Sequence, residues 1–406
     1  MSKKRKRDLT VEEQLARGPV DLPFLMLVLM LTVIGVVMVF SASYATALYD
    51  AKTAHNNPAY YFVKQAGFAV AGVLAMYVVT KINYQSFRWM SVFVLAAGYV
   101  CLLLVFTPLG FGRATVGAQR WLKIGPINFQ PSEIAKIGVI MFFAARLSKR
   151  NTEKPRRINP RSYFSGPLRL LQRIGLLELV PYAAILLSVA VLMMLEPHLS
   201  GTLLIMLGGA AVLFAAGIKL YWFIGGGVAL GALLIIMMSG YQSTRLQIWR
   251  DPWNDGMNGR GKGYQVIQSL YSIGSGGLLG VGLGKSRQKF DFLPEPENDY
   301  IFAIVCEELG LVGACVILFL FALLILRGFW IAIHARDRFG ALLVVGIITL
   351  LAGQVFLNIG VVTNLLPPTG ISLPFFSYGG TALMIQLAEM GMVLSVSRQI
   401  PAAKQG

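Results

Sequence analysis

The sequence predicts an all-α polytopic membrane protein with about ten transmembrane helices and one large extracellular loop. Hydrophobic residues make up 56% of the 406 positions and charged residues only 14%, against about 25% charged in soluble domains. Apolar stretches of about 18 or more residues recur along the whole length, each long enough to cross a bilayer. A transmembrane barrel would instead alternate in segments of about ten residues.

The expected spans lie at about 22–42, 62–80, 88–108, 132–148, 177–195, 202–218, 220–239, 300–326, 339–362 and 376–396. At a rise of 1.5 Å per residue the first is roughly 31 Å long, one hydrocarbon thickness. No cleavable signal peptide is evident before it. The even count puts both termini on the same side. Residues 1–21 then form a cytoplasmic basic tail, 22–398 one membrane domain, and 399–406 a second cytoplasmic tail.

The net charge is +17, but its placement argues against nucleic acid as a partner. Lys3, Lys4, Arg5, Lys6 and Arg7 precede the first span, and nine basic residues between Arg146 and Arg173 fill one loop. Lys81, Arg88, Lys219, Arg327, Arg336, Arg338, Arg398 and Lys404 fall on the same side. Basic residues beside spans hold loops in the cytoplasm and meet anionic headgroups, and no nucleic-acid motif accompanies them. The loop at about 240–299 carries seven Lys or Arg on the outside, which a translocated loop of that length tolerates. Within it, Tyr264–Tyr271 is amphipathic enough for a short helix on the membrane surface. Cys101, Cys306 and Cys315 read as small buried apolar residues, with neither a disulfide framework nor metal spacing.

Six of the 19 carboxylates, Asp291, Glu295, Glu297, Asp299, Glu307 and Glu308, crowd into one short segment. Asp299 stands where a polar loop turns into an apolar run, and Glu307 and Glu308 lie inside that run. Acids at or within a lipid-facing segment are costly, which makes them functional candidates. An Asp at that position also fits a plain helix cap. Lys285, Arg287 and Lys289 just precede Asp299. Such cations could bind phosphate while the acid removes a proton from a hydroxyl; solvated surface ion pairs fit the same spacing.

Two further segments carry chemistry. Arg120-Trp-Leu-Lys123 is followed by Gln130-Pro-Ser-Glu-Ile-Ala-Lys136, where Pro131 suits a first helical turn. Glu133 and Lys136 share a helical face and serve either as a pair that locks helices or as a substrate contact. Pro367-Pro-Thr-Gly-Ile-Ser-Leu-Pro-Phe-Phe-Ser-Tyr-Gly-Gly380 cannot be a continuous helix. Irregular backbone at membrane depth survives only against protein or a wet cavity, so the segment is expected to line one. Ser377, Gly379 and Gly380 would admit a ligand or a close helix there. His198 marks a short outer turn, and Glu389 lies within the last span and needs a partner or water. No Walker loop, dinucleotide fingerprint or HExxH is found.

Taken together these segments resemble the SEDS family (shape, elongation, division and sporulation) of integral membrane peptidoglycan glycosyltransferases, nearer its division and sporulation members than its elongation members. The likeness runs from about residue 22 to about 398. It rests on Arg120-Trp121, Gln130-Pro-Ser-Glu133 with Lys136, Tyr264-Gln-Val-Ile-Gln268 and Gly282-Leu-Gly284. Phe292-Leu-Pro-Glu295 with Asp299, Glu307-Glu-Leu-Gly310 and Pro374 to Gly380 complete it. The resemblance implies a ten-helix enzyme that polymerises lipid II into a β-1,4 glycan at the outer face of the bacterial cytoplasmic membrane, beside a class B penicillin-binding protein acting as transpeptidase. It puts the essential aspartate at Asp299 and the charged pair of the fourth span at Glu133 and Lys136. Asp299 is then the expected general base. Arg120, Lys285, Arg287, Gln130, Ser377, Gly379 and Gly380 are candidate substrate contacts. Mg²⁺ could share the phosphate charge, although no dedicated metal site is legible. A lipid II flippase, or a scaffold for the penicillin-binding protein, would use the same cavity without the chemistry. Two departures stand out: Glu196-Pro-His198-Leu-Ser-Gly-Thr202, where the family often carries Gln-Pro-Asp-Leu-Gly-Thr, and Glu389, where an apolar residue is expected.

Overall fold

The computed structural model describes residues 18–51, 53–111, 119–124, 127–149, 176–236, 240–290 and 292–400. The basic tail, the loop filled by Arg150 to Arg173, Asp291 and the last six residues lie outside the described residues. The helices are α1 (Leu22–Tyr49), α2 (Tyr60–Lys81), α3 (Ser86–Leu104), α4 (Pro131–Leu147), α5 (Leu176–Leu195), α6 (Leu199–Ala215), α7 (Leu220–Ile236), α8 (Gly240–Arg250), α9 (Tyr264–Gly276), α10 (Ile301–Ile333), α11 (Arg338–Val362) and α12 (Gly380–Ser397). Strands β1 (Gly110–Phe111), β2 (Trp121–Ile124) and β3 (Ile127–Phe129) form a small antiparallel sheet in the order β1-β2-β3.

Among the described residues, seven helices are long and apolar enough to cross a membrane: α1, α2, α3, α10, α11, α12 and the Glu178–Leu195 part of α5. The other three expected positions are helical but shorter. α4, α6 and α7 have 17 residues each, roughly 25 Å at the helical rise. The third helix stops at Leu104 rather than near 108, because Pro108 and Gly110 turn the chain into the sheet. Neither that sheet nor α8 is signalled by apolar periodicity. The expected surface helix at 264–271 extends to Gly276 and buries Val266, Ile267, Ser269 and Ser272 against protein, packing on α10.

α1 shows how an all-apolar helix divides its faces. Phe24, Val28, Leu31, Gly35, Met38, Ala42 and Ala45 are buried, recurring every three or four residues. Met26, Met30, Val33, Val37, Phe40 and Tyr44 are exposed on the other side. Lipid is as apolar as Leu, so shape rather than polarity separates the two faces. α2 packs along α12 and α3 along α4.

Two carboxylates tie one end of the bundle. Asp21 caps α1, accepting from Phe24 N at 3.0 Å, and pairs with Arg327 at 2.7 Å. Asp337 caps α11 through Gly340 N at 3.0 Å and also accepts from Tyr84 Oη, Gln85 Nε2 and Arg88 Nη2 at 2.8–3.2 Å. Gly18 N donates to Arg398 O at 2.8 Å, so the first and last described segments meet at this same end.

The expected eighth span is a broken helix. Inside α10, Gly310 has φ 68° and ψ −171°, which interrupts the hydrogen-bond ladder. The Gly-rich loop after α9 fills the gap. Val281 N and Gly282 N donate to Glu307 O and Glu308 O at 2.9 and 3.0 Å, while Leu311 N and Val312 N donate to Gly277 O and Leu278 O at 2.9 and 3.1 Å. The two backbones touch: a Cβ on Gly280, which has φ +78°, would stand 2.2 Å from Glu308 O. Gly280→Ala should therefore cost at least the roughly 1–3 kcal/mol of a left-handed non-glycine residue. Gly225→Ala, with nothing within 4 Å of its Cβ, should be neutral. Thermal unfolding in detergent reads both, and equal midpoints for the two variants would show that the loop does not close the break.

Candidate active site

Where α10 begins and the Pro-rich segment before α12 ends, the structure encloses a polar cavity of about 790 Å³. Its walls come from the sheet, the first turns of α4, α6 and α12, the loop before α10 and residues 370–380. The Pro367–Gly379 segment is non-helical, as its prolines and glycine require, and its backbone is satisfied by side-chain amides and hydroxyls. Asn358 Nδ2 donates to Ile371 O at 2.6 Å, and Gln354 Nε2 to Ser372 O at 3.1 Å. Gln386 Oε1 accepts from Phe375 N at 3.0 Å. Gln65 Nε2 donates to Ser377 O at 3.1 Å, and its Oε1 accepts from Gly379 N at 3.3 Å.

The same groups fix the acid loop. Asn358 Nδ2 also donates to Asp299 O at 2.7 Å, Ser377 Oγ to Asn298 O at 2.8 Å, and Tyr378 N to Glu297 O at 2.8 Å. The carbonyls of Glu297, Asn298 and Asp299 are thus tied down, and Asp299 lines the cavity, half-buried. Gly370, at φ +66°, passes so close that a Cβ there would lie 3.2 Å from Asp299 Oδ2. Burial raises the Asp299 pKa to about 6; Glu295 pushes it the same way, and Arg120 and Arg245 oppose it.

Arg120, Gln130, Glu133, Lys136, Ser377, Gly379 and Gly380 all line this cavity with Asp299. Glu133 and Lys136 form an ion pair at 2.8 Å, with Lys136 only 5% exposed, and Glu389, buried, lies within electrostatic reach of both. Arg120 donates from its guanidinium to the carbonyls of Glu196 and Pro197 at the α5–α6 turn. His198 caps α6 and also lines the cavity.

Lys285, Arg287 and Lys289 do not join them; none lines the cavity. Adjacency in sequence to Asp299 is undone by the Gly-rich loop, which carries 285–289 to the break in α10. There Lys289, 2% exposed, pairs with Glu308 at 3.1 Å and donates to Gly284 O at 2.7 Å. Glu308 also accepts from Ser41 Oγ at 2.6–2.7 Å. Glu307 accepts from Arg287 N, Ser286 Oγ and Ser272 Oγ at 2.9, 2.5 and 3.1 Å. The two acids inside the span are thus satisfied as a clamp between α1, α9 and α10. Lys285 and Arg287 leave their side chains exposed.

The cation that sequence reasoning missed is Arg245 on α8. It donates to Pro368 O at 2.8 Å and acts on the Asp299 carboxylate. Nothing local distinguishes it from the other basic residues of its loop. Gln65, Gln354, Asn358 and Gln386, which brace the cavity, likewise carried no motif signal beyond being amides in apolar runs. Among the described residues, no three His, Cys, Asp or Glu side chains gather as a metal site, and the three cysteines are free.

The sequence and fold have counterparts among known proteins. Residues 22–401 match the family described as cell cycle protein, FtsW/RodA/SpoVE. Stage V sporulation protein E of Bacillus subtilis is 40% identical over 93% of this chain and 97% of its own length. A protein of Geobacter metallireducens named probable peptidoglycan glycosyltransferase FtsW is 40% identical over 94% and 95%. Among solved structures, a chain described under structural coordination of polymerization and crosslinking by a peptidoglycan synthase complex superposes with TM-score 0.70 at 26% identity, over 93% of this chain and 98% of that one. RodA, the rod shape determining protein of Thermus thermophilus, superposes with TM-score 0.64 at 25% identity, over 95% and 98%. The fold and cavity define a polytopic membrane protein of the SEDS type. The chain belongs to the FtsW/RodA/SpoVE family.

The clamp gives a test that does not depend on activity. Lys289→Met leaves Glu308 buried without its cation and should destabilise the protein by about 3–5 kcal/mol. Lys289→Met with Glu308→Gln should recover part of that loss. Unfolding midpoints in detergent decide it, and a single variant as stable as the parent would show the pair to be dispensable.

Proposed function

We propose that this chain is a peptidoglycan glycosyltransferase that polymerises lipid II on the outer side of the cytoplasmic membrane, with Asp299 as general base. The observation that carries the assignment of Asp299 is its position: a carboxylate on a loop whose carbonyls are tied down, lining a polar cavity and acted on by two arginines. In the reaction, the Asp299 carboxylate takes the proton of the 4-hydroxyl of the acceptor N-acetylglucosamine. That oxygen attacks C1 of the donor N-acetylmuramic acid, and the bond from C1 to undecaprenyl pyrophosphate breaks. One displacement inverts C1 and gives the β-1,4 linkage without a glycosyl-enzyme intermediate. Negative charge grows on the departing pyrophosphate, where preorganised cations have most effect. Arg120, which lines the cavity, takes that role here in place of Lys285 and Arg287, and Arg245 adds its field at Asp299. Gln130, Ser377, Gly379 and Gly380 shape the pocket for the sugars.

The orientation follows from charge. Lys81, Arg88, Arg336, Arg338 and Arg398 cluster at the end where the two terminal segments meet, joined by the bonds of Asp337, of Gly18 with Arg398, and of Arg338 to Ala216 O. The positive-inside rule favours that end as the cytoplasmic one, a reading in which both termini lie inside and the cavity outside. A class B penicillin-binding protein supplies the cross-linking partner; the solved complex described in terms of coordinated polymerization and crosslinking supports that pairing.

The direct test is glycan synthesis from purified lipid II, with and without a partner transpeptidase. Asp299→Asn should fold normally and polymerise about 10²–10⁴-fold more slowly; a wild-type rate would remove Asp299 from the chemistry. The base works only when ionised. The rate should therefore rise with pH through about 6 and level off above it. Arg245→Gln removes a positive charge that favours the ionised form, so the rising limb should move to higher pH. A limb that moves down or stays in place contradicts the assigned contact.

A further inference from the structure

The α4 and α6 side of the cavity holds polar atoms that the chain itself leaves unused. Ser132 Oγ, His198 Nδ1 and Ser200 Oγ have no hydrogen-bond partner among the described residues, and all three residues line the cavity. Their side chains are 1%, 6% and 1% exposed. Buried hydroxyls and imidazole nitrogens are normally paired, and each exception calls for a partner. Three exceptions in the first turns of two neighbouring helices mark a place where something other than protein completes the set. Gly201 lets the ring pack this closely, since a Cβ there would stand 2.5 Å from Met193 Cε and 2.9 Å from His198 Nδ1.

The groups left unpaired there are neutral. Burial, reinforced by Arg120 and Lys136, lowers the His198 pKa to about 3, so the ring is uncharged at neutral pH. The nearby Lys136 charge is already matched by Glu133 at 2.8 Å. Gln130 Nε2 lies 3.4 Å from His198 Nε2, adding a carboxamide. Two hydroxyls, an imidazole and an amide offer donors and acceptors without net charge. They suit ring hydroxyls and an acetamido group, which bears one N–H and one C=O, better than a phosphate, which prefers charged donors.

We propose that Ser132, His198 and Ser200 form a neutral hydrogen-bonding subsite for an N-acetylated hexose of the lipid-linked substrate, in the cavity that contains Asp299. The inference rests on the glycosyltransferase reading above and adds to it which wall holds a sugar. Pyrophosphate recognition stays with Arg120.

The test uses the full-length protein in lipid nanodiscs and two ligands, lipid II and undecaprenyl pyrophosphate, which share the lipid and the phosphates and differ in the sugars. Losing one neutral hydrogen bond weakens binding by about 2- to 10-fold. Ser132→Ala with Ser200→Ala should therefore bind lipid II roughly tenfold or more weakly and bind undecaprenyl pyrophosphate as the wild type does. KM should rise while kcat at saturation changes by less than about threefold, the mark of an interaction equal in ground and transition states. Ser200→Ala alone, about 2- to 10-fold weaker for lipid II only, keeps the test open if the double variant does not fold. Equal losses for both ligands would mean a general or anionic role, and unchanged lipid II affinity would mean that water fills the positions; either overturns the subsite. Failure of the wild type to polymerise lipid II, with the sugar-dependent loss intact, would instead overturn the enzymatic reading and leave the subsite standing.

Discussion

In hydrocarbon every backbone N–H and C=O must find a partner within the protein, and this chain departs from continuous helix at three places that bear on its cavity. At Gly310 the Gly277–Gly282 loop supplies the missing donors and acceptors. Between Pro367 and Gly379 the side chains of Gln65, Gln354, Asn358 and Gln386 do so. At the α5–α6 turn, Arg120 donates to the two carbonyls before His198. Each repair brings a polar group to a depth where lipid would otherwise exclude it. The cavity is bounded by the second and third of these breaks, so the constraint that forbids irregular backbone in lipid also decides where the polar chemistry sits.

Charge follows the same logic. Asp299 is supported by three neutral bonds to backbone in its loop and tuned by charges that are themselves tied down, Arg120 on the α5–α6 turn and Arg245 on Pro368 O. Neither arginine is a floating surface cation, so their field at the carboxylate is fixed by the fold. Glu307 and Glu308, although deeper, are saturated by hydroxyls, backbone and Lys289. Glu307 and Glu308 thus form a clamp while Asp299 lines the cavity, and the difference lies in how many donors already surround each carboxylate.

Much of this was readable from residue order. Asp299 announces itself as an acid at the mouth of an apolar run, and Pro367–Gly380 as backbone that cannot be helical; both meet in one cavity with Arg120, Gln130, Glu133 and Lys136. What could not be read is what glycine does to direction. Lys285 stands 14 positions from Asp299 in sequence, yet the loop before it runs back along the break in α10, so nearness along the chain says nothing about nearness in space. Arg245 reaches Pro368, 123 positions away, through an encounter that no local pattern encodes. Helix faces were hidden for another reason. Phe24 and Met26 are equally apolar, and only packing tells which of them meets lipid.

The joint between Asp21 and Arg327 spans 306 positions, and this has a bearing on biogenesis. α1 is made long before the partners of its capping segment, Arg327, Ser397 and Arg398. At about 5–20 residues per second, Asp21 waits roughly 15–60 s for its arginine. This joint of the bundle therefore closes only after the helices between α1 and Arg327 have been made.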